Sequence, residues 1–325
     1  MATPYRNSGV DLARSIAILG VILVHTTGIG FGRFGVQIFF LVSGFLLANY
    51  RLYESNFEFI LHRFFRLFPL YLLFSIFYYT FQNYDFRIIH LTLMANMGWT
   101  FNQIPGGWSI SNEWIYSLFL ITLGALTKKK TLSLLTLCLA SQLVTGFWVW
   151  NKGGADIENV ERYQFLTWIN TTNPVINLSF FLIGLAIKTY LHNRVLPTYI
   201  LVITVALAIA VDTFLGHVMF IWNFGVLSTF LLWLQLKMPN FLIRICGYIG
   251  KRTYGIFFTH FVVMSYVSSL LSNFTSLIGA VYDIIYFSVT FVLSLVGGAI
   301  TWKLIEHPSL QLYKNIQKSK KFGSL

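Results

Sequence analysis

Charge is what this chain has least of. Only 10% of its 325 residues are Asp, Glu, Lys or Arg, while 56% are hydrophobic. In an ordinary soluble domain roughly a quarter of residues are charged, so that balance excludes a soluble globular protein. Acidic residues are the scarcer sign, 11 against 23 basic, leaving a formal net charge of +12. Cysteine is nearly absent: Cys138 and Cys246 both lie in or beside apolar segments. Two such thiols make neither a disulfide framework nor a zinc-ligand spacing, and no metal is expected. There is no internal repeat, and no low-complexity tract apart from the basic tail.

What is abundant is apolar sequence in long runs. They recur from residue 15 to residue 304, and aromatics reach 18%, including 32 Phe and 17 Tyr. Phe and Tyr at that density suit lipid-facing surfaces and interfacial belts. Runs of ~20 residues are long enough to cross a bilayer as helices. Ten candidate spans follow, at about 11–30, 35–52, 67–82, 108–126, 131–150, 174–191, 195–213, 217–235, 252–272 and 280–304. The expected fold is an all-α polytopic transmembrane bundle. It forms a single membrane domain over 1–325 with a core at about 8–310 and no separate soluble domain. Residues 54–66 mix Phe57, Phe59, Ile60, Phe64 and Phe65 with Glu58, His62, Arg63 and Arg66, which predicts a separate interfacial helix. The first apolar run lacks a small-residue cleavage site and is expected to be a retained helix.

The basic residues sit in short segments between apolar runs, not on a soluble face that lies along a phosphate backbone, so nucleic acid is not an expected partner. They are explained instead by the preference of Lys and Arg for cytoplasmic loops. With the N-terminus inside, 18 basic residues fall in inner segments and 4 in outer ones, Arg14 being intramembrane. Both termini are therefore expected in the cytoplasm. The larger outer loops, 83–107 and 151–173, are candidates to meet a polar outer substrate, with a solvated connector as the other reading of 151–173.

The first span carries an unusual set of ionisable residues. Arg14 and His25 are eleven positions apart. At about 100° per residue they share one azimuth, roughly 16 Å apart along the axis. Asp11 lies one turn before Arg14 and is able to pair with it. Ionisable groups are costly in hydrocarbon unless they face a partner or a cavity. A functional stripe is one reading. An interfacial Asp11–Arg14 pair and a structural hydrogen bond from His25 are the others.

Asp11-Leu-Ala-Arg14 followed after ten residues by His25 resembles the opening of the membrane-bound acyltransferase type-3 family. Further elements are similar to that family and come in its order. They are Phe39-Phe40-Leu-Val-Ser43-Gly44-Phe45, Arg63-Phe-Phe-Arg66-Leu-Phe-Pro69-Leu-Tyr71 and Trp108-Ser-Ile-Ser-Asn-Glu113, then Phe181-Leu-Ile-Gly184, Thr253-Tyr254-Gly-Ile-Phe-Phe-Thr-His260 and Leu304-Ile-Glu306-His-Pro308. Trp114 and Asn112 depart from the family pattern, which often has a second acid at the former and an aliphatic residue at the latter.

The resemblance implies transfer of an acyl group, most often acetyl from acetyl-CoA, to a sugar hydroxyl of a surface polysaccharide or lipid-linked glycan such as O-antigen or exopolysaccharide. A bacterial inner membrane is the implied location. His25 would be the general base, since a neutral imidazole takes the proton from a weakly nucleophilic hydroxyl. Arg14, Arg63 and Arg66 would hold the phosphate-rich donor, with Tyr71 and Ser43 beside its path. Glu113 would orient the imidazole, stabilise its cation or bind the acceptor; a helix-start carboxylate beside Ser109 or Ser111 is the alternative. Ser43 and Gly44 also suit close helix packing, and core packing is the simpler reading of His260. A glycan transporter or flippase is the rival class, and succinyl transfer is the rival within the family.

Overall fold

The computed structural model describes residues 7–28, 34–48, 55–81, 93–94, 104–122, 128–153, 172–191, 195–215, 219–271 and 279–322. Most of the expected outer loops 83–107 and 151–173 lies outside these residues. Every described element is helical. The helices are α1 (Ser8–Thr27), α2 (Gly35–Leu47), α3 (Asn56–Phe81), α4 (Gly107–Thr122), α5 (Lys128–Gly153) and α6 (Pro174–Ala186). They continue as α7 (Thr198–Leu215), α8 (Met219–Gln235), α9 (Asn240–Lys251), α10 (Thr253–Leu271), α11 (Ala280–Thr301) and α12 (His307–Phe322). A π-helical turn, Ile187–Leu191, extends α6, and another, Trp302–Glu306, joins α11 to α12.

Among the described residues, five helical segments are long and apolar enough to cross a membrane, and α2, α7 and part of α5 are shorter apolar helices. Among the described residues, each of the ten predicted stretches contains helix. The stripe Val281, Ile284, Val292, Val296 and Ile300 on α11 is exposed, as a lipid-facing surface requires.

Local sequence explains where helices begin and end. The Asn7 side chain accepts from Gly9 N at 2.9 Å, capping α1, and Gly28 closes it with φ 72° while donating to the Val24 carbonyl. Asn173 caps α6 by accepting from Val175 N at 2.8 Å, with Pro174 at the first helical position.

Two expectations are corrected. Residues 54–66 do not form a separate interfacial helix: α3 runs unbroken from Asn56 to Phe81 with Pro69 inside. Proline removes the bond that its N–H would give to the carbonyl four residues earlier. That carbonyl belongs to Phe65, and Ser309 Oγ on α12 donates to it at 2.6 Å. The lost helical bond is thus replaced from outside. The second correction is α9, a short helix that the hydropathy pattern passes over. It buries Cys246, Ile249 and Gly250 and leaves Phe241, Ile245 and Tyr248 exposed.

Helix α1 is central, packing against α2, α8, α9, α10 and α11. Helices α2 and α6 cross through small residues. A Cβ at Gly44 would overlap the Phe181 carbonyl, and one at Gly184 the Leu41 carbonyl. Without hydrophobic drive between helices in lipid, such close backbone contact supplies the association. A polar ring adds a second lock. Gln142 Nε2 donates to Ser179 Oγ at 2.8 Å, Ser179 Oγ to Asn223 Oδ1 at 2.9 Å, and Asn223 Nδ2 to Gln142 Oε1 at 2.6 Å. It joins α5, α6 and α8 where all three residues are buried.

Candidate active site

The stripe on α1 faces α10. Near its start, Arg14 Cζ lies 5.9 Å from the Tyr254 ring centroid; further along, the His25 ring centroid is 5.0 Å from Phe261 and 5.6 Å from His260. The two helices therefore run side by side in the same sense, and neither residue of the stripe is without protein neighbours. Asp11 is buried beside Gly250 of α9, where an added Cβ would stand 3.0 Å from its Oδ1.

Glu113 is the hub of the cluster below. Its Oε1 accepts from Arg63 Nη2 at 2.7 Å and from Ser43 Oγ at 2.6 Å, and its Oε2 accepts from the Tyr254 hydroxyl. Arg63 Nε also donates to Ser117 Oγ at 3.0 Å, which in turn donates to the Glu113 carbonyl at 2.8 Å. Four helices, α2, α3, α4 and α10, meet at this carboxylate. Arg63 is only 3% exposed, and a buried guanidinium is stable only when paired and hydrogen-bonded. Glu113 and Ser117 meet that need.

Arg66 is one turn further along α3. Its Cζ lies 5.3 Å from the Tyr254 ring centroid, so this one ring is shared with Arg14 as a cation–π partner. The Arg66 Nε is buried without a hydrogen-bond partner. A polar donor left so is held ready for a ligand or a water.

These side chains line a cavity of about 440 Å³. Arg14, Arg63, Arg66, Ser43, Glu113 and Tyr254 form its polar wall, and Phe39, Phe40 and Phe257 are among its apolar lining. Three guanidinium groups against one carboxylate leave it positive. A positive cavity in an apolar bundle favours an anion.

Of the sequence-predicted residues, Arg14, Arg63, Arg66, Ser43 and Glu113 come together here. Two lie elsewhere. Tyr71 packs behind the site, its ring centroid 6.4 Å from Phe258 and its Cε2 3.4 Å from a Cβ placed on Gly107. His25 does not line the cavity; its ring is exposed at the other end of the α1 stripe. Phe257 marks the boundary, lining the cavity while lying 5.9 Å from Phe261 and 5.6 Å from His260. Glu113 is in the second turn of α4 and bonds to Arg63, Ser43 and Tyr254. Ser109 donates to the Gly106 carbonyl at 2.8 Å. Asn112 Nδ2 donates to the Thr172 carbonyl at 2.9 Å, so the departure there is used to hold the start of α6.

Sequence reasoning gave too little weight to two residues. Tyr254 joins both arginines to Glu113. The spacing 254, 257 and 261, which places Tyr254, Phe257 and Phe261 on one helix face, is the signal that would have found it. His260 is fully buried, and neither ring nitrogen has a hydrogen-bond partner. Only the packing of α1 on α10 reveals that it faces His25.

No curated protein and no solved structure matches the chain. Residues 7–302 match the family profile described as an acyltransferase domain, a stretch that holds the α1 stripe, the Glu113 hub and the α10 wall. An integral membrane bundle with this site inside that stretch belongs to the acyltransferase type-3 family, and the chain is a membrane acyltransferase.

Proposed function

We propose that this acyltransferase takes an acyl group, acetyl in the simplest case, from acyl-CoA on the cytoplasmic side of a bacterial inner membrane. It passes the group to a hydroxyl of a sugar in an extracytoplasmic or lipid-linked polysaccharide. The chain acts as one membrane domain with both termini cytoplasmic. The observation that carries this reading is the convergence of Arg14, Arg63 and Arg66 on one cavity inside an apolar bundle. Guanidinium forks suit phosphate oxygens, and acyl-CoA presents phosphates on a long thin body.

With the phosphates held by the arginines, the pantetheine arm runs along the α1–α10 seam past Phe257, bringing the thioester to His25. Neutral His25 takes the proton of the acceptor hydroxyl as its oxygen bonds to the thioester carbonyl carbon. The tetrahedral adduct then collapses, breaking the carbon–sulfur bond. The coenzyme A thiolate takes the proton back from the imidazolium, leaving ester, free thiol and neutral imidazole. Glu113 fixes Arg63 and Tyr254 in place and, through Tyr254, the ring over which Arg14 and Arg66 rest. His260 stands behind His25 as its positioning partner.

The test is thiol release by purified protein given acetyl-CoA and a glycan acceptor, with mass spectrometry of the product. Stoichiometric thiol release with an acetyl mass on the sugar supports the reading. A succinyl mass, obtained only with succinyl-CoA, changes the donor, and acceptor movement across a vesicle without thiol release favours transport.

A further inference from the structure

A second space adjoins the arginine cavity. Leu46 and His62 line that cavity and also line this more open hollow of about 630 Å³ between α3, the π-turn and α12. Trp302, His307, Tyr313 and Lys314 stand in its wall. Its volume lies within the range of about 300–1,000 Å³ usual for ligand sites.

The hollow is built firmly. Ser309 of α12 is bonded to the Phe65 carbonyl, the Gln317 amide donates to Glu58 of α3 and also to the Tyr313 hydroxyl at 2.6 Å, and Tyr313 packs edge-on to His62 at 5.1 Å. Glu58 is the carboxylate in the wall, and Gln317 holds it. At the other end the His307 ring centroid is 6.0 Å from that of Trp302. The result is an aromatic-walled space with a lysine and an imidazole in it. It shares Leu46 and His62 with the wall of the cavity that holds three guanidiniums.

We propose that this hollow is the seat of the donor's nucleotide end, an adenosine carrying a 3′-phosphate; the proposal rests on the acyl-CoA reading above. Aromatic rings offer faces to a purine. Lys314 and His307 supply cationic or donor groups to the phosphomonoester. The shared His62 lies where the chain narrows toward the diphosphate and pantetheine. The matched acyltransferase stretch stops at Trp302. His307, Tyr313 and Lys314 lie just past that match on α12, His307 within the family-like Leu304-Ile-Glu306-His-Pro308 element, and α12 reads the donor's far end.

The experiment compares coenzyme A with 3′-dephospho-coenzyme A for binding to the full-length protein in nanodiscs. The expected result is a preference for coenzyme A of about tenfold, the worth of one charge-assisted contact. Lys314→Ala brings the ratio toward one, and Lys314→Arg retains it. Lys314 is exposed, so neither variant disturbs the core. Equal affinities for the two ligands in the unmodified protein would overturn the subsite while leaving the donor reading intact, as would an undiminished ratio in Lys314→Ala. If the unmodified protein bound neither ligand, the donor reading itself would fail, and this inference with it.

Discussion

His25 and His260 face each other across the α1–α10 seam with ring centroids 5.6 Å apart, one imidazole exposed and the other fully buried. Neither nitrogen of the buried ring has a hydrogen-bond partner, so the two imidazoles meet by ring contact alone.

His25→Ala is expected to lower transfer by about 10²–10⁴-fold, the usual contribution of a positioned general base. Donor binding and membrane insertion should persist. His260→Ala should lower kcat by about tenfold with little change in the donor KM, a split that a purely structural defect would not give. Steady-state kinetics with a saturating acceptor check both. Full activity in His25→Ala removes the base from the mechanism.

Arg63 and Arg66 are one turn apart on α3 and should behave differently. Removing Arg63 leaves the Glu113 carboxylate buried without its ion-pair partner, a loss of about 3–5 kcal/mol in typical cases. Arg63→Ala should therefore lower the thermal midpoint in detergent, with partial recovery in the Arg63→Ala, Glu113→Gln double variant. Arg66, bonded less tightly, should raise the donor KM when changed to Ala while leaving the midpoint nearly unmoved. Equal melting of the two variants would contradict this division.

How much of this arrangement the sequence discloses depends on the length scale. Arg14 and His25 share a helix, so periodicity alone aligns them. Arg63, Arg66 and Glu113 come from other helices, and only their family-like motifs marked them. The bond from Tyr254 to Glu113 spans 141 positions and no local rule predicts it. The separate interfacial helix failed because the change from mixed charged and aromatic sequence to apolar sequence near residue 67 reads as a boundary, while Pro69 is accommodated inside α3 by a donor to Phe65 that lies 244 residues away. Tyr71 follows the motif but points its packing at Phe258, since helical rotation from Arg66 carries it off the cavity face.

Gly184→Ala is expected to reduce the yield of folded protein and lower stability by roughly 1–3 kcal/mol, as overpacking does. The methyl would meet the Leu41 backbone, which has no rotamer to yield. Gly44→Ala should do the same from the other side. Size-exclusion profiles after detergent extraction check both, and unchanged profiles would mean that α2 and α6 separate easily.

Asn223→Leu removes one corner of the polar ring and two of its bonds, to Ser179 and Gln142. Interhelical hydrogen bonds in membranes contribute about 1 kcal/mol each, so the midpoint should fall by a few degrees. Donor affinity should stay the same, because the ring lies outside the arginine cavity.

Proline inside α3 turns a helical defect into a socket. With no N–H from Pro69 to share it, the Phe65 oxygen is left to Ser309, so the acceptor and the helix that it secures form a matched set. Replacing Pro69 with alanine would return a helical donor to that oxygen, which Ser309 would then share, weakening its hold on α12 without touching it. Exchange of proline here would thus soften one anchor of α12 from a distance, with the Gln317–Glu58 bond still in place.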